Sequence, residues 1–497
     1  MFFARLNKAN GGAAKDPHHP QNSAKNTTTV KDVPKPKQTS RPTSRTQHTS
    51  PTKSPGQVTK GDAVKRKKQK SSSPNISSSN PPSPAGMNKV QVNTPVESSD
   101  EEDENGFERL KRHKKLQPIF DPGRCVYKDY GDNERSDLIS AAQLVDQAKE
   151  KYTPQFQDDP DLQITLELPF GREEYRMLKP KKDDEFNPLV EIDSVMEAIG
   201  RDLVPENYRN TIKDEMMRDC IVRRMRRAIK ASDVQKFKDS IKEFNDLMIQ
   251  LRESGEMQEA IKSQKSLSFK FVSEILNQVY ARVVSPKTQE LRHYKAFSNN
   301  VYGELLPPFT SKVFHETGMT SNSVFVDLGS GVGNCVLQAA LEVGCESWGC
   351  EMMKAASSFA EEQQKEIESR IKGYNINMGS INLRSADFVN NSEIQTVLKR
   401  ADVVLVNNYA FDAKLNGHLI DMFLDLKEGT KIVSLKSFVP PDYVISEANI
   451  ESPLNILRVE TKHFSDNYVS WQANGGKYYI ATVDRSQLEN VLNKRRS

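Results

Sequence analysis

The chain has 497 residues, with 71 Lys and Arg against 67 Asp and Glu, and is long enough for about three domains and a sizeable core. Its five cysteines (Cys125, Cys220, Cys335, Cys345, Cys350) are odd in number and lack C-x-x-C spacing. That excludes a disulfide framework and a structural zinc and reads as reduced thiols. No apolar run nears membrane-spanning length and Met1-Phe-Phe-Ala lacks a secretory core, so a soluble intracellular protein is expected.

Charge is unevenly spread. Residues 1–97 carry 17 Lys and Arg against 4 Asp and Glu, about +13, so the rest carries about −9 of the net +4. Rich in Ser, Thr, Pro, Asn and Gln, this stretch buries too little apolar surface to offset the entropy of ordering, and a disordered basic tail is expected over 1–115. Lys65, Arg66, Lys67, Lys68 and Lys70 form a compact cluster suited to nuclear import or to contact with a phosphate backbone. The acidic block 98–104 stands just before a second basic run that includes Lys111, Arg112, Lys114 and Lys115. It reads either as a phosphorylatable mask for that run or as a charged spacer.

Order is expected from Leu116. Ile164-Thr-Leu-Glu-Leu168 alternates as strands do, and 116–182 reads as a small β-rich portion. Helical periodicity follows over 183–290, where Phe237, Ile241, Phe244, Met248 and Leu251 form a core seam. The pairs Arg223-Arg224 and Arg226-Arg227 fall on the polar side of a helix and read as solvent-exposed charge rather than a nucleic-acid contact.

Over 291–490 strands and helices alternate: Val324–Val326, Cys335–Val343, Ser347–Cys350, Met353–Ile371, Ile381–Arg384, Val403–Val406, Asp412–Leu426 and Ile432–Leu435. This spacing suits βαβ crossovers and a doubly wound parallel sheet. Tyr478–Val483, after a Gly475-Gly476 turn, looks like a closing antiparallel hairpin.

The chemistry is concentrated at the strand ends, where open α/β sheets collect ligands. Val324-Phe-Val-Asp327 runs into Leu328-Gly329-Ser330-Gly331-Val332-Gly333-Asn334. Glycine there lets the backbone turn and a ligand come close. The G-S-G-V-G order is not the G-x-G-x-x-G of dinucleotide enzymes, and Asp327 would repel a pyrophosphate but hold an ammonium. S-adenosylmethionine fits such a site. Glu351, 24 positions after Asp327, is placed to accept both ribose hydroxyls. Asp387 and Phe388, beyond the third strand, suit an adenine amino group and ring. The fourth strand ends in Asn407-Asn408-Tyr409-Ala-Phe411, an amide acceptor followed by aromatics. It parallels the Asn/Asp-Pro-Pro-Tyr/Phe signature of amino-group methyltransferases without the prolines.

Taken in order, Val301-Tyr302-Gly303-Glu304-Leu305, Asp327 to Asn334, Glu351, Asp387-Phe388, Asn407 to Phe411, Val469-Ser-Trp471 and Tyr478-Tyr479 resemble the disruptor-of-telomeric-silencing (Dot) family, fungal type. These are histone lysine methyltransferases without a SET domain, and the resemblance covers roughly 186–485. It implies a seven-stranded class I, Rossmann-like α/β methyltransferase domain preceded by a helical subdomain. It also implies that Tyr302, Gly303, Glu304 and Leu305 close over the methionine end of the cofactor. Phe325, Val326, Asp327, Leu328, Gly329, Ser330, Gly331, Val332, Gly333 and Asn334 would form its floor. Asn407 would lie beside the transferred methyl at the end of a channel lined by Phe297, Tyr409, Phe411, Trp471 and Tyr478. The implied substrate is a lysine on the nucleosome face of the histone H3 core, which places the protein in the nucleus, in chromatin silencing. The basic tail would meet DNA or acidic histone surface, and a monomer is expected.

The implied reaction needs no nucleophilic side chain and no metal. A lysine amine must lose its proton first, and desolvation in an apolar channel is the expected means, since no other His or carboxylate is placed as a base. The alternatives are an RNA or DNA amino-methyltransferase, which the missing prolines disfavour, and a non-catalytic chromatin protein, which would show damage to the glycine loop or to Glu351. A dehydrogenase fails on glycine spacing.

Overall fold

The computed structural model describes residues 116–131, 137–214, 216, 219–292 and 303–496. The expected tail, with Lys65, Arg66, Lys67, Lys68, Lys70, Lys111, Arg112, Lys114 and Lys115, lies outside the described residues, as do Phe297 and Tyr302.

Residues 117–131 run along the sheet domain and are pinned to it by polar contacts. Gln117 O meets His315 Nε2 at 2.6 Å, the Asp121 carboxylate accepts from Ser321 N–H at 2.7 Å, and Arg124 Nη2 donates to Leu341 O at 2.5 Å. Helix α1 (Ala141–Asp146) opens on a reciprocal Ser140/Gln143 capping box. Two antiparallel ladders follow, β1 (Tyr152–Pro154) with β4 (Leu178–Pro180), and between them β2 (Gln163–Glu167) with β3 (Arg172–Arg176). In β2 the apolar residues at alternate positions are buried, as a one-sided strand requires.

Six helices come next: α2 (Pro188–Asp202), α3 (Glu206–Ile212), α4 (Ile221–Ala231), α5 (Val234–Glu253), α6 (Glu256–Lys262) and α7 (Phe269–Val283). Side chains of Asn187, Asp233 and Ser268 cap α2, α5 and α7 through the first free N–H groups. The seam read from Phe237 to Leu251 is wholly buried. On α4 the arginines face outward onto carboxylates: Arg224 meets Asp219 at 2.6 Å and Arg226 meets Asp193 at 2.7 Å, while Arg227 also pairs with Asp219. Ion-paired exposed arginines fit a solvated face and contribute little stability.

The sheet domain comprises α8 (Pro307–Thr317), β5 (Val324–Leu328), α9 (Asn334–Gln338), β6 (Glu346–Glu351), α10 (Lys354–Lys372), β7 (Ile381–Ser385), α11 (Ser392–Leu398), β8 (Val403–Val406), α12 (Ala413–Phe423), β9 (Lys431–Ser434), β10 (Leu457–Phe464), β11 (Gly476–Val483) and α13 (Ser486–Arg496). Seven strands lie in the order β10-β11-β9-β8-β5-β6-β7, and β11 is antiparallel to both its neighbours. Both faces are covered, so strands read as apolar runs: Val404 and Val406 enter one core with Leu419 and Phe423, Val403 and Leu405 the opposite one with Phe309 and Phe314. The chain reverses its direction of travel across the sheet between β5 and β8, which opens a crevice at their C-terminal ends.

Three local expectations differ. The helix read over Cys335–Val343 is α-helical only to Gln338, and Ala339–Val343 is a π-turn. Its carbonyls are taken by tertiary donors instead, Ala340 O by Gly379 N–H at 2.9 Å and those of Leu341 and Glu342 by Arg124. Helix α11 was not anticipated, being short, although Asn391 caps it. Gly475 and Gly476 are not a turn: a Cβ on them would stand 2.4 Å from Phe464 O and 2.5 Å from the Phe464 ring, so close packing demands them.

Buried between the helical layer and the sheet domain is a charged cluster. Arg282 of α7 reaches Glu173 of β3 at 2.8 Å and Glu191 of α2, and Arg370 of α10 reaches Glu173 and Glu366, each at 2.8 Å.

Candidate active site

The crevice is a cavity of about 650 Å³. Its floor is the loop after β5, where Gly329, Gly331 and Gly333 have φ of 87°, 55° and 86°, a region that disfavours side chains. The loop is strapped to β6 by N–H donation from Gly329 and Ser330 to Cys350 O at 2.9 and 3.1 Å. Glu351 accepts from Gly331 N–H at 3.0 Å and from Met353 N–H at 2.7 Å, so the carboxylate and the glycine loop hold each other in place. Burial pushes the Glu351 carboxyl above its usual range.

Asp327 ends β5 only 4% exposed. Burial, and after it the charge of Glu351, pushes its carboxyl up to about 8. It therefore keeps its proton at neutral pH unless a cation arrives. A ligand ammonium held there requires the carboxylate, so binding expels a proton. S-adenosylmethionine affinity is expected to rise with pH, by at most about tenfold per unit below 8, and to fall again as the ligand's own ammonium titrates at about 8. Titration calorimetry in two buffers of different ionisation heat reads the released proton, and Asp327→Asn should remove both the release and the slope.

The opposite wall comes from residues 303–306, clamped by residues 468–470. Glu304 N–H donates to Ser470 Oγ at 2.8 Å, Ser470 N–H to Glu304 O at 2.9 Å, and Tyr280 OH to Glu304 Oε1 at 3.2 Å. A Cβ on Gly303 would stand 2.7 Å from the Trp471 ring, so only glycine passes beneath it. Gly303 O accepts from Asn407 Nδ2 at 3.1 Å, which orients the amide and leaves Asn407 Oδ1 buried with no protein partner. Beyond β7, Phe388 faces Phe411 with centroids 6.5 Å apart, and Asp387 accepts from Val389 N–H at 3.0 Å. This set fits S-adenosylmethionine: a buried carboxylate that no cation shifts among the described residues, a glycine floor, a second carboxylate tied to that floor and an orphan amide oxygen.

The cavity thus brings together Gly303, Glu304, Leu305, Asp327, Gly329, Ser330, Gly331, Val332, Asn334, Glu351, Asp387, Phe388, Asn407 and Phe411. Other expected residues stand elsewhere. Phe325, Val326 and Leu328 are fully buried in the cores on either side of β5, and Gly333 backs onto Ala360. Tyr409 and Trp471 stack outside the cavity at 5.6 Å. Tyr478 corrects the expected channel lining: it is fully buried among Phe309 and Phe464, its hydroxyl donating to Glu316, because its position on β11 turns it into the core. The wall also uses Cys335, Met352, Met353, Val389, Asn390, Asp412, Lys414, Leu415 and His418, which the sequence reading missed. Cys335, Met352, Val389 and Asp412 directly follow a motif residue, and that adjacency was the available signal.

Residues 280–483 match the family model described as "Histone methylation protein DOT1". A relative from Yarrowia lipolytica named "Histone-lysine N-methyltransferase, H3 lysine-79 specific" is 51% identical over 65% of this chain and 65% of its own. One of the same name from Emericella nidulans is 42% identical over 72% of each chain. The chain thus spans just under two thirds of the first relative's length and more than two thirds of the second's. Among solved structures, a putative class I S-adenosylmethionine-dependent methyltransferase from Listeria monocytogenes is similar at TM-score 0.31 and 12% identity, over 59% of this chain and 88% of that one.

Proposed function

The chain belongs to the DOT1 histone methylation family, and from that membership we propose that it is an S-adenosylmethionine-dependent histone lysine N-methyltransferase whose substrate is lysine 79 of histone H3 in the nucleosome. The observation that carries the reading is Asn407: an amide anchored by its nitrogen on Gly303 O, its buried oxygen without a partner, at the end of the strand beside Asp327.

When bound, S-adenosylmethionine supplies a sulfonium-activated methyl group. The chain's own residues do the rest. Asp327 takes the ammonium of the methionine end, Glu304 and Leu305 close over it, and Glu351 takes the ribose. Phe388 and Phe411 flank the base, with Asp387 at its amino edge. Asn407 Oδ1 accepts a hydrogen from the substrate amine and so aligns its lone pair, the kind of orientation that supplies much of a displacement's acceleration. Tyr409 and Trp471 offer apolar surface to the alkyl stem of the lysine. Asp412 and His418 also line the cavity, and neither is needed as a base where desolvation in an apolar channel lets the amine shed its proton.

As a nucleosome-modifying enzyme the protein works in the nucleus, on chromatin and its silencing, as a monomer, with the basic tail contributing DNA contact. Among the described residues no helix is long and apolar enough to cross a membrane.

Labelled methyl transfer to intact nucleosomes, free histones, naked DNA and RNA tests the reading. Label is expected on H3 in nucleosomes, and Gly331→Arg, which fills the cofactor floor, should abolish it. Label on nucleic acid alone would replace the reading by an RNA or DNA amino-methyltransferase.

A further inference from the structure

Two cations near the cavity are unused by the proposed reaction, Lys414 on its wall and Lys436 over the Tyr409 ring. Lys436 follows β9 and holds its ammonium 5.5 Å from the centre of the Tyr409 ring. Tyr409 is 51% exposed and stacks on Trp471, which covers Gly303, the residue that anchors Asn407. The position of Lys436 is fixed by Asn408, itself 1% exposed. Asn408 Oδ1 accepts from the N–H groups of Leu435 at 3.0 Å and Lys436 at 2.8 Å, and its Nδ2 donates to Lys436 O at 3.0 Å. Among the described residues no carboxylate pairs with the Lys436 ammonium. The adjacent residues Asn407 and Asn408 thus divide two tasks, one amide left open toward the cavity and the other spent on holding a lysine beside it.

We propose that Lys436, an exposed side chain lying over the Tyr409 ring, lowers the proton affinity of the incoming substrate amine by its positive charge and so helps deliver that amine neutral. This rests on the lysine-methyltransferase reading above. In the step concerned, the amine's proton leaves to water and its lone pair forms the N–CH3 bond. The electron pair of the broken C–S bond stays on the sulfur of the departing S-adenosylhomocysteine. A neighbouring cation is an established way to hold an amine neutral, since it disfavours a second positive charge.

The opposing groups are known. Glu304, Asp327 and Glu351 line the cavity, with Asp387 at its adenine end and Asp412, Lys414 and His418 on its outer wall. Asp327 and Glu351 answer to the cofactor, and carboxylate charge alone would hold the substrate amine protonated. Among the described residues, Lys436 is the cation over the Tyr409 ring.

The test is single-turnover transfer to nucleosomes against pH, at saturating cofactor, for wild type, K436Q and K436R. A unit charge within about 10 Å in a partly hydrated setting moves a neighbour by roughly half to one pH unit. K436Q should shift the rising limb that far to the alkaline side. Its rate near pH 7 should fall about three- to tenfold and recover as pH rises. K436R should keep the wild-type limb, and nucleosome affinity, titrated directly, should stay within about twofold in both. A limb unmoved in K436Q, or a loss confined to nucleosome affinity at every pH, overturns the proposal and makes Lys436 a docking residue. A wild type inactive on nucleosomes would overturn the underlying reading, and this proposal with it.

Discussion

Asn407→Ala is expected to lower single-turnover methyl transfer to nucleosomes by about 10²- to 10³-fold while changing S-adenosylmethionine affinity by less than about threefold. The asymmetry follows from how the amide is held. Its nitrogen is spent on Gly303 O at 3.1 Å, so the oxygen is fixed as an acceptor, and that oxygen meets no protein donor. A buried acceptor without a partner is costly unless something supplies a hydrogen, and a substrate amine is such a donor. The proposed cofactor holds should survive in the variant, because Asp327, the glycine loop and Glu351 are positioned by β5 and β6 rather than by β8. Asn407→Asp distinguishes orientation from mere polarity. It retains acceptors, sets a carboxylate against the Gly303 carbonyl and favours the charged amine, so it too should be slow, with its rising limb displaced to higher pH. Rapid-quench transfer and calorimetry read the two quantities separately. An alanine variant with wild-type rate would remove Asn407 from the mechanism.

Much of this site was legible in the sequence because its chemistry hangs on strand ends. A strand followed by glycines, an acidic residue a βα unit later and an amide at the end of another strand are each fixed by local geometry. Asp327, Gly331, Glu351 and Asn407 all line the cavity. What was not legible depended on direction. Tyr478 alternates on β11, and only the packing of α8 against the sheet shows that it enters the core beside Phe309 rather than a channel. Phe325, Val326 and Leu328 were read as part of a motif, yet strand residues in a doubly covered sheet bury their side chains in the cores on both faces. Met352 and His418 were missed for the opposite reason: nothing in their own pattern speaks of a ligand, and they line the wall through the loop and helix that follow a motif residue. The Arg124 grip on the π-turn is long-range in sequence, so no window of the chain contains it.

The second large effect concerns the cluster beneath the site. Arg370→Ala is expected to destabilise the fold by about 3–5 kcal/mol, read as a lowered denaturant midpoint with an unchanged slope. Arg370 is fully buried and donates to Glu173, to Gln278 Oε1 at 2.8 Å, to Glu366 and to Ile139 O at 3.2 Å. Removing it leaves Glu366 without a cationic partner, holding only the Ile139 N–H, and Glu173 with Arg282 as its single ion-pair partner. The effect depends on pH with a definite sign. Although burial opposes it, the two arginines hold the Glu173 carboxyl down at about 2 against an ordinary 4.5. A depressed carboxyl stabilises the fold above its ordinary value and loses that contribution as pH falls toward its folded one. Wild type should therefore shed stability between about pH 4.5 and 2, and the variant, already short of one arginine, should show a shallower fall. An unchanged midpoint would mean that water or another donor takes over from Arg370. A segment cut to 280–483 would keep Arg282 and Arg370 but neither Glu173 nor Glu191, and is expected to be less stable than the longer chain. Helix α10, which carries Arg370, begins three residues after Glu351, and α7, which carries Arg282, also carries the Tyr280 that holds Glu304. Both walls of the cavity thus rest on charges whose partners lie in the earlier ladders and helices.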